Sequence, residues 1–300
     1  METRPTPEIR SDTQPEFAQE IHPQTRLGYV HLRVFDLDNA LRFYQEALGF
    51  KLHWRENDRA GLGAGGADLL RLTGDPEAAA ARRTAGLYHF AVLMPSRHDL
   101  ARSLYRLVET QTPLQGAADH WFSEAIYLAD PEGNGIELYR DRPRSEWPPM
   151  EDIYRLGNGP FDLRQLLTEY HPEDGEPDGL HPDTVLGHMH LRVGDITRSQ
   201  AFYTGILGFN PMMTFPGQAG FVSAGGYHHH VAYNIWGGRG VPPVPENAAG
   251  LQAFTIRLPD PAALAQVFDR VRQAGIPIED TQDGRLVRDP DGIRLIFAVD

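Results

Sequence analysis

A chain of 300 residues has enough material for two domains and a sizeable core. Its formal net charge of -13 argues against a nucleic-acid surface, and the absence of cysteine excludes disulfides and thiolate metal ligands, so any metal must be held by His, Asp or Glu. The opening residues are polar and proline-bearing without an apolar signal core, and no later stretch has the length of a membrane span; the expectation is a cytoplasmic protein that engages neither nucleic acid nor membrane.

In chain order, residues 1–24 read as a disordered arm. Leu27–Val34 then reads as a strand, and Asp36 caps a helical pattern through Ala40, Phe43, Tyr44 and Leu48 that stops at Gly49. The pattern returns downstream: segments 27–50 and 186–209 align without a gap and are identical at 12 of 24 positions. Both end in Phe-Tyr, three residues, then Leu-Gly-Phe, which marks an internal repeat.

Two fainter copies complete the series. One opens with the strand Gly86–Met94, continues with a helix near 99–109, and closes in Asp130-Pro-Glu-Gly-Asn-Gly-Ile-Glu137-Leu-Tyr. The other opens at Leu251–Leu258, has a helix near 261–274, and closes in Asp289-Pro-Asp-Gly-Ile-Arg-Leu-Ile-Phe. Each copy reads strand, helix, then about three strands. A sheet with one bare face needs a partner to enclose it. The expected fold is therefore α+β: four βαβββ modules forming two paired-sheet (half-barrel) domains, 25–146 and 185–300. Between them, 147–184 reads as a linker or excursion rich in Pro, Gly and acids, with one helical patch around 161–170.

The densest group of chemically capable side chains is Gly225-Gly226-Tyr227-His228-His229-His230-Val231-Ala232-Tyr233. Buried imidazoles need partners for two ring nitrogens each, so three in a row point to a site. Strand alternation would place His228 and His230 on one face and His229 on the other. The apolar flanks, Phe221-Val-Ser-Ala and Val231-Ala-Tyr, speak against a surface metal-scavenging tract.

The motifs His-x-x-Leu-Arg-Val-x-Asp, Phe-Tyr-x3-Leu-Gly-Phe and Asp-Pro-x-Gly-Asn-x-Ile-Glu-Leu together resemble the vicinal oxygen chelate superfamily, which includes glyoxalase I, bleomycin-resistance proteins and extradiol dioxygenases. Four modules and the Tyr-His-His-His-Val-Ala-Tyr cluster resemble, more narrowly, the catechol 2,3-dioxygenases of bacilli. In that superfamily the metal ligands come from the first and last strands of paired modules. The resemblance implies His89 and Glu137 from the second copy and His188 from the third, with His190 a rival for His188. The matching positions elsewhere are Tyr29 in the first copy, with Asp68 and Arg71 nearby, and Ala253 in the fourth, where Ile293-Arg294-Leu295 replaces a glutamate. The simplest account of that set pairs the second copy with the third and the first with the fourth; if the first and second paired instead, His31 would have to stand in for Tyr29.

Two imidazoles and one carboxylate make the facial triad of non-haem Fe(II) oxygenases, and Mn(II) suits the same set. The resemblance then implies an extradiol dioxygenase that takes a small aromatic diol and O2. His229 stands where the acid–base histidine lies, and Tyr127 where a tyrosine hydrogen-bonds substrate. His120, His190 and His228 are further substrate-binding candidates. Rival readings are hydroquinone ring cleavage, a glyoxalase-type metal isomerase or lyase, and a non-catalytic aromatic-binding resistance protein. Exposed sheet edges leave homo-oligomerisation open. The plain alternative for each buried histidine, His31 among them, is structural hydrogen bonding.

Overall fold

The computed structural model describes residues 8–9, 20–81, 83–149, 152, 157–171 and 179–300. These strands lie in two mixed sheets of nine and eight strands. After a two-residue strand β1 (Glu8–Ile9), four βαβββ copies follow one another. The first is β2 (Arg26–Val34), α1 (Leu37–Arg42), β3 (Lys51–Glu56), β4 (Arg59–Gly63) and β5 (Asp68–Gly74). The second is β6 (Gly86–Met94), α2 (Arg97–Glu109), β7 (Leu114–Asp119), β8 (Ser123–Ala129) and β9 (Gly135–Asp141), and a short α3 (Leu163–Leu167) lies beyond it. The third is β10 (Val185–Arg192), α4 (Ile196–Gln200), β11 (Asn210–Phe215), β12 (Ala219–Ser223) and β13 (Val231–Asn234). The fourth is β14 (Gly250–Leu258), α5 (Pro261–Gln273), β15 (Glu279–Thr281), β16 (Gly284–Arg288) and β17 (Arg294–Val299).

Every copy has the same strand order. Its first strand runs parallel to its last, and the last continues antiparallel through the two middle strands. By contact, the chain divides into two compact units, one of Tyr29–Ala78 and His89–Gly187, the other of Met1–Gly28, Ala79–Tyr88 and His188–Asp300.

Local sequence explains the helix starts. Asp36, Ser96, Asp195 and Asp260 each sit in extended backbone and accept a hydrogen bond from the amide three residues on. Each such cap stabilises its helix by about 1 kcal/mol. The repeated Phe-Tyr and Asp-Pro motifs are partners. Tyr44 of the first copy donates its hydroxyl to Asp130 of the second at 2.9 Å, and Tyr203 of the third donates to Asp289 of the fourth at 3.1 Å. Asp130 also accepts the amides of Glu132 and Asn134, while Asp289 accepts those of Asp291 and Ile293, so each carboxylate ties its turn. Burial pushes the Asp289 carboxyl up to about 7, against the lowering effect of the backbone hydrogen bonds.

Of the arm expected over 1–24, residues 1–7 and 10–19 lie outside the described residues. Glu8–Ile9 pair antiparallel with Met213–Thr214, and Ile21 is buried. The 147–184 excursion, where described, places Leu166 in the core and Tyr170 against Tyr105 of α2, ring centroids 4.7 Å apart. Among the described residues, no helix is long and apolar enough to cross a membrane.

Candidate metal centre

The fourth residue of β6 is His89, and the third of β9 is Glu137. Parallel pairing of these strands sets Phe90 opposite Ile136 and Ala91 opposite Glu137, so the imidazole and carboxylate arise from adjoining positions. His89 Nε2 meets Glu137 Oε2 at 3.0 Å, with both side chains buried. Gly187, one residue before His188, lies against the same sheet: a Cβ there would fall 1.8 Å from the Tyr139 hydroxyl of β9, so no larger residue fits that approach. His188 follows as the fourth residue of β10 and is 2% exposed. His89, Glu137 and His188 each offer one ligand atom, and these atoms all lie within 4.8 Å of one another. The donor set, two imidazoles and one carboxylate without sulfur, fits a borderline divalent ion.

Strand register carries the same two positions into the other copies. In the first they hold Tyr29 and Arg71, because Val30 pairs with Leu70. In the third they hold His188 and Ala232, because Met189 pairs with Val231. In the fourth they hold Ala253 and Ile296, which pack with Leu286 as an apolar cluster. The fourth-copy position expected at Ile293-Arg294-Leu295 therefore belongs to Ile296, one residue further on.

The histidine run departs from its expected geometry. Strand β13 begins only at Val231, and Gly225 and Gly226 turn the chain at φ of +61° and +71°, so residues 227–230 are irregular and alternation does not apply. His228 and His229 consequently face together, Nδ1 to Nδ1 at 2.8 Å. Both rings approach His188, with centroids at 6.0 Å for His228 and 4.1 Å for His229. His230 turns elsewhere: its Nδ1 accepts the Ala224 amide and its ring packs on Tyr227. Between two Nδ1 atoms one ring must donate and the other accept.

His190 is not in the three-residue cluster. Its Nε2 lies 2.9 Å from the side-chain amide nitrogen of the buried Asn234, within a group of rings that includes Tyr88, Phe221 and Trp236. On β8, Tyr127 pairs with Glu137 across the ladder, and its ring lies 5.7 Å from that of His89. The Tyr127 hydroxyl is 2.6 Å from His120 Nε2. His31 bonds Thr73 at 2.9 Å, a structural role. Two further polar side chains, neither marked by the sequence, sit beside the candidate histidines: Asn158, 3.0 Å from His120 Nδ1, and Asn234 beside His190.

The profile of the Glyoxalase/Bleomycin resistance protein/Dioxygenase superfamily matches residues 26–138 and again 185–297. The chain is 42% identical over 285 residues to the catechol-2,3-dioxygenase of Bacillus subtilis (strain 168), covering 93% of this chain and 99% of that one. Among solved structures, a provisionally assigned dioxygenase from Bacillus subtilis subsp. subtilis str. 168 is similar at a TM-score of 0.62 and 14% identity, over 94% of this chain and 86% of the other. Glyoxalase I from Zea mays reaches 0.54 at 18% identity, over 91% and 92%. At these identities the two structures bear on the fold alone.

Proposed function

The chain belongs to the Glyoxalase/Bleomycin resistance protein/Dioxygenase superfamily, and from that footing we propose that it is an Fe(II)-dependent extradiol dioxygenase that opens a catechol ring beside its two hydroxyls. The observation that carries this reading is the buried His89–Glu137–His188 cluster in a chain so close to a catechol-2,3-dioxygenase. Fe(II) held by such a triad supplies Lewis acidity that lowers the phenol pKa, and open positions for the diol and O2; Mn(II) suits the same ligands.

The surrounding side chains then have separate tasks. His89 and His188 would each offer a ring nitrogen and Glu137 a carboxylate oxygen, all three from buried side chains. His229 is the acid–base group. Its tautomer is coupled to that of His228 through their 2.8 Å contact, so a proton arriving on one ring is passed between the two. Tyr127 hydrogen-bonds one substrate oxygen, with His120 behind it. His190, held by Asn234 among Tyr88, Phe221 and Trp236, lines the path of an aromatic substrate.

Anaerobic reconstitution with Fe(II), followed by catechol and O2, tests the reading. A yellow ring-opened product that disappears in His188→Ala and Glu137→Ala supports it. Metal retained with no product from catechol or hydroquinone would redirect the assignment to isomerase chemistry. A chain that retains no metal would leave an aromatic-binding protein.

A further inference from the structure

Among the described residues, the excursion beyond β9 is tied to the second copy around α3 and again upstream of it. Around α3, Leu166 is buried, Tyr170 packs on Tyr105, and Glu169 pairs with Arg97. Upstream, residues 157–159 close over the turn Asp119–Trp121. Asp119 and Gly159 exchange backbone hydrogen bonds at 3.1 and 2.7 Å. Trp121, at φ +70°, donates its indole N–H to the Gly157 carbonyl at 2.8 Å. Between these ties, Asn158 Oδ1 lies 3.0 Å from His120 Nδ1, and His120 Nε2 lies 2.6 Å from the Tyr127 hydroxyl.

A carboxamide oxygen can only accept, so the His120 proton belongs on Nδ1. In the neutral ring Nε2 is then bare and takes the Tyr127 O–H. The result is a directed chain: Tyr127 donates to His120, and His120 donates to Asn158. A phenol oxygen whose own proton is given away meets an incoming hydroxyl as an acceptor, and Tyr127 stands beside Glu137 and His89.

We propose that Asn158 is a positioning residue that holds His120 as the proton acceptor behind Tyr127, giving the diol a second proton route besides His229. This inference rests on the ring-cleavage reading, because a catechol has two O–H groups to lose. In the step, the substrate O–H breaks as a new Tyr127 O–H forms, while the original Tyr127 O–H breaks as His120 Nε2–H forms. One proton moves, leaving a phenolate on the substrate and an imidazolium on His120, whose Nδ1–H remains on Asn158 Oδ1. Tyr127 then donates to the phenolate it has created, so its hydrogen bond reverses direction with the charge.

The test is nitrogen-15 NMR of the full chain, loaded with diamagnetic Zn(II), with the His120 resonances assigned by His120→Gln. The expected result is a proton on Nδ1 in the wild type and in Asn158→Asp, which keeps an acceptor, and a shift toward Nε2–H in Asn158→Leu. In the Fe(II) enzyme, Asn158→Leu should lower kcat by about 10²-fold, the scale of a lost general base, with KM little changed and Asn158→Asp restoring much of the rate. Nε2–H in the wild type, or an unmoved tautomer in Asn158→Leu, would overturn the proposal while ring cleavage itself stood. Absence of ring cleavage by the wild type would sink both readings, and the tautomer measurement, which needs no turnover, tells the two failures apart.

Discussion

His89 and Glu137 in the second copy stand at the same two strand positions as Tyr29 and Arg71 in the first. In the second copy those positions give an imidazole and a carboxylate 3.0 Å apart. In the first, the Arg71 guanidinium lies 4.0 Å over the Tyr29 ring and donates to Asp68 at 2.8 Å. Asp68 also takes the Trp54 indole N–H and meets His53, each at 3.0 Å. A cation already stands where a metal would have to bind, and the nearby carboxylate is saturated. One βαβββ scaffold therefore either presents a metal half-site or seals itself with its own ion pair, and two side chains decide which.

The sharpest way to break this contrast is to move the first copy's residue into the second. Glu137→Arg should abolish metal retention and ring cleavage, and Glu137→Gln, which preserves volume, should do the same at a lower cost to folding. Metal content by mass spectrometry, beside circular dichroism to confirm the fold, reads the effect. Retention of a full equivalent of metal by Glu137→Gln would mean the carboxylate is no ligand.

Glu124 sets the scale for a second-copy carboxylate committed to structure. It accepts from Arg97 at 2.9 Å, Arg140 at 2.8 Å and Arg142 at 3.2 Å. Burial alone would push its carboxyl up, but hydrogen bonds and charge from Arg140 and Arg97 outweigh this and hold it below the ordinary value of 4.5. A depressed folded-state value means the stabilisation is complete above the unfolded-state value and is lost as pH falls through the folded one. Glu124→Ala should cost about 3 kcal/mol at neutral pH, because three guanidinium groups lose their shared anion. Denaturant midpoints of the wild type and Glu124→Gln should differ at neutral pH and converge in acid. A constant gap down to the acid limit would contradict the assigned role.

Smaller effects belong to the sealed copy. Arg71→Met should cost about 1–3 kcal/mol by taking the guanidinium from Asp68 and leaving it only Trp54 and His53, with metal content unchanged. Loss of metal in that variant would show that the first copy contributes to the centre after all. His31→Ala should remove about 1 kcal/mol through its bond to Thr73, again without affecting metal content. Thermal melts and metal analysis of the two variants together test whether the first copy serves structure alone.

Much of this architecture was legible because the chain repeats itself. The four-copy repeat and its strand order were visible in the sequence, while the choice of His89, Glu137 and His188 within it came from the resemblance to the superfamily; in the fourth copy the same reading fell one residue short of Ile296. The Phe-Tyr and Asp-Pro motifs were visible too, although their partnership was not: Tyr44 and Asp130 are 86 residues apart, as are Tyr203 and Asp289. The orientation of His228, His229 and His230 failed because alternation presumes a strand, and two left-handed glycines make a turn there. Asn158 was invisible because loop residues follow no period, and its partner His120 is 38 positions away.

The most direct test of the central claim is a single turnover of catechol under ¹⁸O₂ by chain reconstituted anaerobically with Fe(II), with bound iron quantified in the same sample. The expected result is one iron per chain and a ring-opened product, cleaved beside rather than between the hydroxyl-bearing carbons, that carries both labelled atoms. Stoichiometric iron with intact diol, or a product without label, would contradict it.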